Sequence, residues 1–110
     1  MTQTTILAAT TDQDESSDVV VENNPVKLSM FMDGGDVQQA KDASGRYERV
    51  LCVVQEKDPN GVYVNVYSDG HLITLSRKNP QQVLIGPGTY RVVKPETVNE
   101  IGLYSEDGTP

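Results

Sequence analysis

The chain has no tryptophan, one phenylalanine, one cysteine and one histidine in 110 residues. A lone cysteine, Cys52, excludes an internal disulfide and any cysteine-based zinc cluster. It sits in the apolar run 50–54, where it reads as a small buried hydrophobe rather than a reactive thiol. A catalytic base needs a positioned nucleophile and an orienting group, and no nucleophile-elbow pattern accompanies His71, which directly follows an Asp-Gly turn. A metal site built on His71 would need carboxylates converging from elsewhere, and no such spacing is present. No catalytic, cofactor-binding or metal-binding residue is assigned. The expectation is a protein that is not an enzyme.

Basic residues are also scarce: nine against sixteen acidic ones, for a net charge of −7. Only Arg77 and Lys78 are adjacent, so no basic patch forms, and an acidic chain repels phosphate backbones. Nucleic acid is excluded as an expected partner. No apolar run approaches the ~20 residues of a membrane span. Residues 1–6 have neither the basic region nor the apolar stretch of a secretory signal. The expectation is no membrane partner and synthesis in a cytoplasm.

Two stretches mimic binding loops and fail on spacing. Counted from Asp12, the acidic run 12–18 places Ser17 and Asn23 where a calcium loop needs glycine and glutamate. Gly86-Pro87-Gly88 lacks the Lys-Ser/Thr pair and following helix of a phosphate loop. It reads instead as a type II turn with Gly88 at the position needing positive φ.

Short alternating runs separated by turn residues are abundant. Val62 to Tyr67, His71 to Leu75, Gln81 to Ile85, Thr89 to Val93 and Ile101 to Tyr104 are strand patterns in the second half. Asp58-Pro59-Asn60-Gly61 and Ser68-Asp69-Gly70 are turns between them. In the first half, residues 2–9 read as a strand or an extended arm, Val19 to Val21 and Val26 to Met32 as strands, and 47–57 as a central strand. About eight strands with no sustained helical periodicity predict an all-β, antiparallel sandwich of the jelly-roll or immunoglobulin-like kind. Residues 1–18 are expected to form an N-terminal arm and acidic connection, and 19–110 a single sandwich domain. The loop 33–46, bracketed by Gly34, Gly35 and Gly45, is expected to reach outward.

Hydrophobic residues make up 36% of the chain, an aliphatic supply sufficient for a thin core. Oligomerisation or docking onto a larger assembly would relieve that shortage. Phe31 falls on the outer set of its alternating run, and Tyr63 and Tyr67 share one face of theirs, with Tyr90 on a neighbouring strand. A tyrosine-bearing face of this kind suits a sugar ring or another subunit.

The segment from Asp58 to Gly108 resembles the small β-sandwich virion proteins of tailed bacteriophages. The residues that carry the likeness are Tyr63 to Gly70, Asn79-Pro80, Gly86 to Val92, and Ile101 to Tyr104 with Asp107-Gly108. The likeness implies a head decoration or cement protein that bridges neighbouring capsid subunits and stabilises the assembled shell by mass action. It implies the major capsid protein as partner, a homo-oligomer such as a trimer, and a place on the capsid surface. Candidate partner contacts are Thr4, Ile6, Phe31, Tyr63, Tyr67 and Tyr90. Removal of residues 1–10 is expected to leave the core folded. A carbohydrate-binding or adhesion module of a phage neck, tail or fibre is the alternative.

Overall fold

The computed structural model describes residues 3–46 and 50–107. Twelve strands follow in order: β1 (Gln3–Thr10), β2 (Asp14–Glu15), β3 (Val19–Val21), β4 (Val26–Met32), β5 (Leu51–Lys57), β6 (Tyr63–Asn65), β7 (Tyr67–Ser68), β8 (His71–Leu72), β9 (Thr74–Ser76), β10 (Gln81–Leu84), β11 (Gly88–Lys94) and β12 (Ile101–Asp107). One sheet runs β1-β12-β4-β10. The other has β11 and β5 at its centre, β2 and β3 sharing one flank, and β6 and β9 sharing the other. All these pairings are antiparallel.

With each interrupted flank counted as one row and the separate β7–β8 ribbon set apart, the described residues of the two sheets form eight rows. Row one pairs with eight, two with seven, three with six and four with five, the nested pattern of a jelly roll. The chain is thus one long hairpin folded over itself, and the immunoglobulin-like alternative is set aside. Alternation explains which side of β3, β5, β9 and β11 is covered. Leu28, Met30, Leu84, Ile101 and Leu103 from one sheet meet Cys52, Val54, Leu75, Tyr90 and Val92 from the other, all buried.

Both corners of the sandwich are stitched. At one, Ser17 donates its backbone N–H (2.9 Å) and its hydroxyl (3.3 Å) to the carbonyl of Ile6 in β1. The neighbouring Ser16 keeps faith with β11, donating its N–H to the Val92 carbonyl and accepting the Val92 N–H on its hydroxyl. Two adjacent serines therefore split the flank into β2 and β3. At the opposite corner, the Gln82 amide donates to the Thr74 carbonyl at 2.9 Å.

Four expectations change here. Gln3–Thr10 is an edge strand paired with β12 rather than an arm, because Ile6 and Leu7 are core residues. Removing residues 1–10 would therefore strip a wall of the sandwich. The alternating run 62–67 is broken at Val66, which returns its N–H to the Val54 carbonyl while β7 and β8 leave as a separate ribbon. That ribbon turns at Asp69 and Gly70, both with positive φ, as a two-residue hairpin turn demands. Gly86–Pro87 is a cis peptide and Gly88 lacks positive φ, so the expected type II turn is absent. Of the strand expected over 47–57, residues 47–49 lie outside the described part.

The fourth change concerns the loop 33–46. It is tied down rather than reaching outward. Ala40 is fully buried, the Lys41 N–H donates to the Asn99 side chain (3.0 Å), and Val98 donates back to the Lys41 carbonyl (3.0 Å). Asp36 caps the single turn of 3₁₀ helix at Val37–Gln39. Buried Asp42 accepts the N–H groups of Ser44 (3.0 Å) and Arg46 (2.8 Å) on one carboxylate oxygen. Asp42→Ala orphans both donors and is expected to cost about 1–2 kcal/mol, the scale of a lost cap. Hydrogen exchange should show amides of residues 42–46 losing protection while β4 and β12 keep theirs.

Candidate interaction surfaces

The outer face of the six-stranded sheet is assembled from four rows. Outward positions on β11 and β5 place Arg91 beside Gln55, in register. The Arg91 guanidinium donates to Gln55 Oε1 (2.9 Å) and to Glu15 on β2 (2.7 Å). Gln55 in turn donates to Asn65 on β6 at 3.0 Å. The ring of Tyr63 lies against the Arg91 guanidinium, 3.9 Å from carbon to centroid, a stacked cation–π contact. Its hydroxyl donates to Asp18, and that bond, with burial and the nearby carboxylate charge adding to it, pushes the Tyr63 phenol up. A polar belt thus crosses the sheet in a fixed arrangement. Beside it on β5, Leu51 is exposed and Val53 half-buried.

The outer face of the four-stranded sheet is built around a glycine. Phe31 pairs with Gly102 across β4 and β12, and its ring covers the glycine so closely that a side chain there would collide with it. Tyr104 sits 6.0 Å from Phe31, centroid to centroid, at a tilted 46°. Lys27 closes the row with a 2.9 Å ion pair to Glu106. The shared hydrogen bond raises the Lys27 ammonium pKa and lowers that of the Glu106 carboxyl.

The expected contact residues therefore part company. Phe31 is on the outer face but half-covered by its own sheet. Tyr67 stands 63% exposed on the β7–β8 ribbon, opposite Leu72. Thr4 is exposed on β1. Tyr90 is buried, because alternation on β11 turns it into the sandwich, and this corrects its reading as a contact; Ile6 is buried beside Leu7 at a register shift in β1 and meets the surface only along one edge of the sheet. Tyr63 and Tyr67 lie on different strands, so the expected three-tyrosine face is not assembled. Arg91, Gln55 and Asp18 were missed. Arg91 alternates with buried Tyr90 and Val92, which was the available signal.

Burial pushes the Cys52 thiol up to about 12, and its sulfur lies 3.5 Å from that of Met30. His71 is exposed on β8. Among the described residues no group of three or more histidines, cysteines or carboxylates is placed to hold a metal ion.

No protein-family model matches the chain, and no curated protein does. Among solved structures, the chain is similar to the SPBc2 prophage-derived protein YomS, with a TM-score of 0.55 at 11% identity. The likeness covers 94% of this chain and 88% of that one, so the two share a fold nearly end to end.

Proposed function

We infer that this chain is a non-enzymatic structural component of a tailed-phage virion. In the sharper form of this reading it decorates a capsid, bridges neighbouring shell subunits and stabilises them by mass action. The observation that carries the reading is the fold shared over nearly the whole chain with a prophage-derived protein. Two broad sheet faces set in fixed arrangements, one with a polar belt and one with an aromatic cluster, suit protein contact. The partners in this reading are the major capsid protein and further copies of the chain, on the capsid surface. The net charge of −7 argues for protein rather than nucleic-acid partners.

The carbohydrate-binding alternative has less support. Arg91 occupies one side of the Tyr63 ring, Tyr90 is buried, and Tyr67 is left as an isolated exposed ring.

Purified particles from a producing culture provide the test. The chain is expected among their proteins, at a copy number that scales with the number of shell subunits. A copy number of one ring's worth would move the protein to the neck or tail. Its absence from washed, intact particles would refute the virion reading altogether.

A further inference from the structure

At the corner stitched by Ser17, the edges of β1 and β3 diverge and leave a groove of about 220 Å³. Its apolar lining comes from Ile6, Val19, Val20 and Val26, with Thr4 and Asp18 among the polar residues around it. A second hollow of about 180 Å³ shares Val20, Val26 and Asp107 with the first and reaches Glu22. Both bounding strands are outermost in their sheets: β1 pairs with β12 and β3 with β11. An outermost strand has one row of backbone donors and acceptors left over from its ladder, of which the Ile6 carbonyl on β1 is already taken by Ser17.

Charge selects the occupant. Asp18, Glu22 and Asp107 line the two hollows, and among the described residues no Lys, Arg or His lines either. A second copy of this chain does not supply the complement. Its flanking strands β1, β2, β3, β6, β9 and β10 contain no Lys or Arg at all. We propose that this corner groove binds an extended, lysine- or arginine-bearing segment of a different protein, which adds to the sheet edge as a further strand. Alternate side chains of such a segment would enter the Ile6–Val19–Val26 floor, and the cationic ones would meet the acidic rim. The inference rests on the reading of the chain as a binding component and names the chemistry of its partner.

The test uses the full chain and a capped peptide of alternating lysine and valine, followed by amide NMR. Shifts are expected at residues 4–6 and 18–22, weakening as salt screens the exposed charges. The double variant Asp18→Asn, Glu22→Gln keeps the acceptor for the Tyr63 hydroxyl and should bind about three- to tenfold more weakly, for two exposed ion pairs. The same peptide methylated on alternate backbone nitrogens should lose most of its binding. Equal binding by an alternating glutamate–valine peptide, full binding by the methylated peptide, or an unchanged double variant would each overturn the proposal. So would groove shifts that follow protein concentration without peptide, which would make the occupant a second copy. Presence of the chain in particles is read separately: particles that carry it while the peptide fails remove the groove and leave the virion reading standing.

Discussion

Replacing Lys94 by alanine is expected to lower stability by about 2–4 kcal/mol, read as a lower urea midpoint at unchanged slope. Lys94 is fully buried at the end of β11. Its ammonium donates to the carbonyls of Asp12 (2.9 Å) and Pro95 (2.8 Å) and to the Thr97 hydroxyl (3.0 Å). Those oxygens belong to two separate loops, so one side chain ties the end of the sandwich together. Alanine leaves a cavity and three oxygens short of a donor, which outweighs the relief of no longer burying an ammonium. Lys94→Met keeps the volume and loses the donors, so its cost should be smaller.

The pH dependence separates these effects. Burial lowers the Lys94 pKa below 10.5, while Cys52 and the carboxylates of Asp12, Asp14 and Glu96 pull the other way with less effect. Between the lowered folded value and the unfolded one, the unfolded chain binds more protons, so the Lys94 contribution to stability rises with pH. Below that window the full cost of burying the charge remains. Urea titrations of the wild type and Lys94→Met should therefore diverge in the wild type's favour as pH climbs towards 10.5. A difference independent of pH would show that the ammonium's burial carries no net cost.

Gly102→Ala is the second large expected loss, about 1–3 kcal/mol from overpacking. A methyl group there would strike the Phe31 ring and come within 2.9 Å of the Leu7 carbonyl on β1. The ring can swing away, but the carbonyl belongs to a paired strand and yields less easily. Phe31→Ala removes the first obstacle and not the second. In a double-mutant cycle the pair should therefore cost less than the sum of the singles by roughly 1 kcal/mol. Strict additivity would mean that the ring does not rest on Gly102.

The sequence was most legible where periodicity and turn chemistry act locally. Alternation at Val26, Leu28 and Met30 placed Phe31 outward, and Asp69-Gly70 marked its hairpin, because both depend on a few adjacent residues. Ile6 and Tyr90 were misplaced for the converse reason. Which parity of a strand faces inward depends on the sheet it joins, and Gln3–Thr10 shows no alternation strong enough to settle it. The Arg91 belt was illegible because its members come from four rows separated by up to 76 positions. The corner groove was equally hidden: Thr4 was singled out, but its nearness to Asp18 exists only after the long hairpin has folded. Asp42 sat in a stretch taken for a free loop, since nothing nearby in sequence reveals that Ala40 is buried.

The nested pairing of the rows also governs how the molecule bears a load. Gln3 faces Glu106 in antiparallel register, so the two ends of the described chain leave the fold side by side. Tension between them would meet the ladder bonds of the outermost pair singly, as a zipper does, and then pass inward to the next pair. Force spread across the sheet faces instead would engage many bonds together. A tether pulling on both ends attacks this fold in its weakest direction, and a partner gripping its faces loads it in a stronger one.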